Sequence, residues 1–289
     1  MIWLELVFYM VVGLILISFF APDIAKSTEA SWFKALMPVM NRQYWYMTAY
    51  FGMVILMPLL NVVVQKTSIR TLSLVLLAVL VFYCAMTTMM DSTAFNLSSG
   101  YTTIWLCLMY IAGGYLARIN KPHPLVSFGI YLLMAVVTWL LRVEGMKNVL
   151  RYTSPTVVIA AAALVMTFSQ IKVRCKISKK IIPYVAASTL GIYLAHVNDF
   201  IFANKSILKG FATRFKSDHV MLLLAKVLLF GLGIFLIGLI IDSIRRGLFW
   251  LLHIKPLLKR VDKQLESAFA KKEAPAEQPQ SADGEKPEQ

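Results

Sequence analysis

Apolar runs close to the length of a membrane span recur along this chain as far as residue 241, and they decide what it can fold into. A bilayer's hydrocarbon core takes about 20 apolar residues of helix to cross. Eight runs reach or approach that length: residues 2–20, 44–64, 72–90, 101–117, 125–141, 155–170, 181–202 and 219–241. Inside lipid every backbone polar group must find its partner within the segment, which leaves the helix as the way for such runs to cross. The expected fold is all-α, a polytopic membrane helix bundle of about 8 transmembrane helices. The hydrophobic share of 58% and a mean hydropathy of +0.68 lie beyond those of a soluble domain and agree.

The formal net charge of +14 does not point to nucleic acid, because the Lys and Arg residues sit in short segments between apolar runs. There they orient the chain and meet anionic lipid headgroups, so membrane lipids are the expected partners. Cys84, Cys107 and Cys175 show no pairing pattern and no CxxC, so neither a disulfide framework nor a metal site is expected. No Lys or Arg precedes Lys26, so residues 2–20 lack the basic lead of a signal peptide and read as a retained span. Glu5 within them reads as a tolerated group near a helix end.

Three regions follow: a transmembrane bundle over 1–241, a basic interfacial helix over 242–263, and a disordered cytoplasmic tail over 264–289. The interfacial helix rests on Arg245, Arg246, Lys255, Lys259 and Arg260 interleaved with Leu248, Phe249 and Trp250. The tail holds six acidic residues against three Lys and one aromatic, too little to bury a core. Dense positive charge after residue 241 and over 172–180 places both on the cytoplasmic side, and eight spans then put the N-terminus there too. The cations of 205–216 fall on the outer side and run against this rule.

The seventh run, IIPYVAASTLGIYLAHVNDFIF, is the most polar. At about 100° per residue Thr189, Tyr193 and His196 share one stripe, while Ser188 and Asp199 lie on an adjacent one. A neutral imidazole takes a proton from a hydroxyl, and a carboxylate three residues away fixes its tautomer. The plainer alternative is a His that hydrogen-bonds between helices. Tyr44, Trp45 and Tyr46 read either as interfacial anchors or as an aromatic platform beside a sugar site. Arg118 and Lys121 read either as positive-inside anchors or as partners for a donor's phosphates. Gly113 and Gly114 read as a close helix approach.

Four segments carry a resemblance. QYWYMTAYFGMVILMPLLN (43–61), SGYTTIWLCLMYIAGGYLAR (99–118), ASTLGIYLAHVNDFIF (187–202) and IDSIRRGLFWLL (241–252) stand in the order and approximate spacing of helices in the acyltransferase-3 family, which they resemble. The resemblance implies an integral-membrane O-acyltransferase of a bacterial cytoplasmic membrane, multi-pass with a cytoplasmic C-terminus. It would O-acetylate a cell-surface or exported polysaccharide, with acyl-CoA (acetyl-CoA) as co-substrate and no bound cofactor. His196 stands at the family's YLiH histidine, for which the resemblance implies a site-lining or structural role, and it is the catalytic candidate on its spacing alone; Trp45, Tyr46, Tyr193, Ser188 and Thr189 are the candidate acceptor contacts, and Arg118 and Lys121 the candidate donor contacts. Family members carry an R…H pair on their first helix, and this sequence has no such motif. Residues 1–20 resemble the family's third helix, so the expectation is a chain that lacks the first two, with a membrane-protein partner to supply them if it is active. Two other functions are compatible: a catalytically degenerate membrane partner or scaffold, and a lipid or oligosaccharide transporter.

Overall fold

The computed structural model describes residues 1–20, 22–27, 31–41, 43–90, 95–198 and 219–273. The described residues are helical and form no strand, a polytopic all-α arrangement. The first apolar run becomes α1 (Ile2–Phe20). Two short helices, α2 (Pro22–Ser27) and α3 (Trp32–Leu36), lead to α4 (Trp45–Lys66), which carries Pro58 without ending. Next come α5 (Ile69–Met89) and α6 (Thr103–Arg118), then α7 (Pro124–Val143) and α8 (Pro155–Ser169). The last are α9 (Lys176–His196), α10 (Val220–Leu251) and α11 (Ile254–Glu273). Among the described residues, six helical segments are long and apolar enough to cross a membrane. Of the other two expected spans, α6 has 16 residues, and α9 opens on Lys176, Lys179 and Lys180.

Helix starts are written into the sequence. The Ser68 side chain accepts from the Thr71 amide, and that of Thr102 from the Trp105 amide, so each hydroxyl satisfies an orphan donor of a first turn. Pro124 and Pro155 occupy first-turn positions, where a missing N–H costs nothing. Within α5 the stretch Val79–Met86 is π-helical, which widens the helix opposite α6 and α8.

α4 packs on α6, α7 on α8, and α9 on α10. The Thr138 and Thr156 hydroxyls join α7 to α8 at 2.7 Å. The main core gathers around α1: Leu6, Tyr9, Met10, Leu14 and Ile17 meet Tyr44 and Met47 of the α4 region and Leu194 of α9. Gly114 lies against the Val64 side chain, while Gly113 faces open space, so only one of that pair serves close packing.

Four readings are corrected. The helix expected to start afresh at residue 242 is continuous with the last span, and the break falls at Leu252 and His253, whose φ is +52°. Asp242 and Arg245 are buried rather than interfacial, because each finds an opposite charge inside the bundle. Helix α11 extends through Glu273, into the region expected to be disordered; residues 274–289 lie outside the described residues. Tyr44 is no interfacial anchor: it is fully buried and donates to the Leu194 carbonyl at 3.0 Å.

Candidate functional site

A cavity of about 590 Å³ lies at the end of the bundle where α4, α6 and α8 begin. Four side chains singled out on sequence line it together: Trp45 and Tyr46 from α4, Thr189 and Tyr193 from α9. Trp105, Met109, Tyr152 and Val158 complete much of the wall. Rings dominate. Trp45 packs edge-on against Tyr101 at 4.3 Å and beside Tyr152 at 5.8 Å, and Tyr46 meets Tyr193 at 5.9 Å. Such a surface offers flat apolar faces with hydroxyl and indole N–H groups at their edges, the pattern that suits a sugar ring. Gly100 belongs to this wall and its φ is +97°. A Cβ there would stand 2.7 Å from that of Tyr152, so both backbone and space require glycine. Beyond Tyr152 a polar rim carries Lys147 and Arg151.

Thr189 and Tyr193 face the cavity, whereas Ser188, 100° further round α9, faces α10. The Ser188 hydroxyl accepts from Arg246, which also reaches the Tyr184 carbonyl and lies over the Tyr184 ring at 4.1 Å. The Tyr184 and Ser243 hydroxyls are 2.6 Å apart. Arg246 makes an ion pair with Asp242 at 3.0 Å. Asp242 also accepts from Arg245 Nε at 2.9 Å and from the Tyr9 hydroxyl at 3.0 Å. Arg245 closes the set with Glu5 at 3.1 Å. Two carboxylates and two guanidiniums thus neutralise one another, which is what allows them to sit inside a membrane bundle. Glu5 is therefore a tertiary partner rather than a group tolerated at a helix end. Gly191 makes this approach feasible: a Cβ there would collide with the Asp242 carboxylate and stand 2.6 Å from the Tyr9 hydroxyl.

The far side of that quartet opens into a second pocket of about 380 Å³. Its wall carries Arg245 and Arg246, whose charges Glu5 and Asp242 offset, so that the Lys255 ammonium gives it a net positive charge, with His253 and the rings of Phe249 and Trp250 beside them. Ala187 lines this pocket and Thr189 the aromatic cavity, so the two hollows flank α9 at positions two residues, about 3 Å of helix rise, apart.

His196 stands one layer behind the cavity, edge-on to Tyr193 at 6.0 Å. Its Nδ1 is 2.8 Å from the Ile192 carbonyl. A carbonyl only accepts, so Nδ1 is the donor in this contact. Asp199, the expected tautomer-fixing neighbour, lies outside the described residues. Arg118 donates to the carbonyls of Val64 and Thr67, the latter at 2.8 Å, and so serves the C-terminus of α4. Lys121 sits in the turn that follows, at the end of the bundle opposite the aromatic cavity. Among the described residues, no group of three or more His, Cys, Asp or Glu converges to hold a metal. Outside the spans, Cys175 occupies the N-cap position of α9, where the nearby Ser178 and Ile177 amides hold its exposed thiol below the ordinary range.

Sequence reasoning missed the joining of Glu5, Tyr9, Asp242 and Arg245. The available signal was the spacing of Asp242 and Arg245 on one helix face together with an acidic residue in the first span.

The profile of a family described as an acyltransferase domain matches residues 2–243. No curated protein and no solved structure matches the chain.

Proposed function

The chain belongs to the acyltransferase-3 family and is a multi-pass membrane acyltransferase, and from that premise we propose that it O-acetylates a cell-surface or exported polysaccharide with acyl-CoA as donor. The observation that carries this reading is the pair of unlike hollows on either side of α9. One is aromatic and hydroxyl-edged, the other positive. In this reading the aromatic cavity, through Trp45, Tyr46, Thr189 and Tyr193, seats the acceptor sugar at the outer face of a bacterial cytoplasmic membrane. The positive pocket faces the cytoplasm and receives the donor's phosphates, with Arg118 and Lys121 at the same end of the bundle. The C-terminus is cytoplasmic.

The chemistry is a single exchange of bonds. An acceptor hydroxyl oxygen attacks the thioester carbonyl carbon, the C–O bond forms, the C–S bond breaks, and the thiolate leaves with the hydroxyl's proton returned to it. A group that holds that proton in transit contributes typically 10²–10⁴-fold. His196 fills that role in this proposal through Nε2, the ring nitrogen not engaged by the Ile192 carbonyl, and Tyr193 stands between it and the cavity.

A second reading is a catalytically degenerate partner or scaffold, or a chain that acts with a membrane partner supplying further helices. One observation favours it: among the described residues lining the aromatic cavity there is no His and no carboxylate. Acetyl esters on surface polysaccharide separate the two. The enzyme reading expects them to disappear on deletion of the gene and to return with the wild-type chain but not with His196→Ala. Return with His196→Ala removes that residue's assignment, and an unchanged ester content on deletion supports the partner role.

A further inference from the structure

Met109 and Val158 line the aromatic cavity, and they also line a third hollow, a crevice of about 380 Å³ between α5, α6, α7 and α8. Of its lining side chains only those of Ser73 and Tyr115 carry oxygen; the rest are hydrocarbon or sulfur-bearing, such as Leu77, Leu80, Cys84, Ala112, Ala162 and Met166. The crevice has a direction. It follows α6 from Met109 to Leu116 and α8 from Val158 to Met166, in both cases away from the aromatic cavity. At 1.5 Å per residue that is about 10–12 Å of depth. Its upper wall is the π-helical part of α5, where Val79 and Cys84 pack with Trp105, itself a cavity residue. The crevice shares no lining residue with the positive pocket.

We propose that this crevice seats the hydrocarbon tail of the acceptor, whose polar head occupies the aromatic cavity, so that the acceptor is a glycan joined to a membrane lipid. The inference rests on the assignment of the aromatic cavity to the acceptor. A ring-lined chamber with hydroxyl and indole N–H groups at its edges, at one end of the bundle, with an aliphatic channel descending from it, matches the layout of an outer-leaflet amphiphile, head at the interface and tail toward the bilayer centre. The missing contact with the positive pocket argues against the donor's acyl chain as occupant. Lipid tails are as apolar as leucine, so the crevice gains little by removing a tail from the bilayer. Its contribution is to link the two ends of one ligand, which raises the effective concentration of the head at Trp45. Met109, a flexible thioether, is suited to the partition between the chambers.

The test uses the full chain in nanodiscs with three photoprobes: a dodecyl β-glucoside carrying a diazirine near the end of its tail, the same glucoside with the diazirine on its sugar, and a phosphatidylglycerol with a tail diazirine. Adducts are mapped by mass spectrometry. The expected result is tail-diazirine glucoside adducts on Leu80, Cys84, Ala162 or Met166, reduced roughly tenfold by Ala162→Trp, which fills the crevice, and by Trp45→Ala, which removes the head's platform. The phospholipid is expected to label the crevice weakly and without response to Trp45→Ala. Equal crevice labelling by the phospholipid, or glucoside labelling that Trp45→Ala leaves unchanged, overturns the inference. Sugar-diazirine adducts in the aromatic cavity without tail adducts in the crevice overturn it while sparing the acceptor assignment. Absence of both kinds of adduct overturns the two together.

Discussion

The Tyr9 hydroxyl donates to the Asp242 carboxylate at 3.0 Å, across 233 positions of sequence. That bond, with the Arg245 and Arg246 ion pairs beside it, ties α1 to α10, and through Ser188 to α9. Replacement of one member of a buried charged set leaves its partners uncompensated, a cost of about 3–5 kcal/mol. Asp242→Asn is therefore expected to lower the unfolding midpoint in nanodiscs sharply. Tyr9→Phe removes one neutral donor and is expected to cost about 0.5–1.5 kcal/mol. Chemical denaturation of the two variants side by side checks the order; a Tyr9→Phe loss as large as that of Asp242→Asn contradicts it.

Two glycines give an internal control. At Gly191 an added methyl meets the Asp242 carboxylate and the Tyr9 hydroxyl, so Gly191→Ala is expected to destabilise by about 1–3 kcal/mol. At Gly113 the same methyl meets nothing, and Gly113→Ala is expected to be neutral or to gain up to about 1 kcal/mol from helix propensity. Thermal unfolding of both variants decides whether the close approach at Gly191 matters as described.

Much of this architecture was legible in the chain, and apart from the extension of α11 the main exceptions have a common cause. The bounds of α1 follow from its apolar run, and Pro155 marks the start of α8 as a first-turn proline does. The 3.6-residue period put Thr189 and Tyr193 on one stripe, and they face one cavity. The same period explains why Ser188 departs from them. What sequence reading got wrong turns on charge and hydroxyl partners far away in sequence. Asp242 and Arg245 look like a membrane exit until Glu5 and Tyr9 are known to meet them, and Tyr44 looks like a headgroup anchor until its hydroxyl is seen on the Leu194 carbonyl. Local pattern reports how apolar a segment is; it does not report which distant segment will neutralise its polar members.

Arg118 offers a separation of roles. Its guanidinium satisfies carbonyls at the end of α4, so Arg118→Ala is expected to lower stability by about 0.5–1.5 kcal/mol while leaving the KM for donor unchanged. Lys255→Ala, in the positive pocket, is expected to do the reverse. Unfolding curves and donor titrations on the same two preparations check this. A donor KM raised by Arg118→Ala would return that residue to the donor site.

Cys175 reports on pH and on sidedness. Its thiol is held low by backbone donors, so the thiolate fraction at a given pH exceeds that of an ordinary cysteine. Maleimide labelling is expected to reach half its maximal rate at a pH below the ordinary cysteine pKa of about 8.5. Labelling is expected in inside-out vesicles and not in intact cells, because the proposed orientation puts the start of α9 in the cytoplasm. Labelling in intact cells would invert the assignment of the two hollows.

The central claim is that an acyl group passes from a donor in the positive pocket to an acceptor in the aromatic cavity. The direct measurement is transfer of radiolabelled acetyl from acetyl-CoA to surface glycan extract by the purified chain in nanodiscs, with Trp45→Ala and Lys255→Ala compared in the same assay. The account predicts transfer by the wild-type chain, a raised KM for glycan with Trp45→Ala and a raised KM for acetyl-CoA with Lys255→Ala. Absence of transfer by the wild-type chain, or transfer that neither substitution alters, would contradict it.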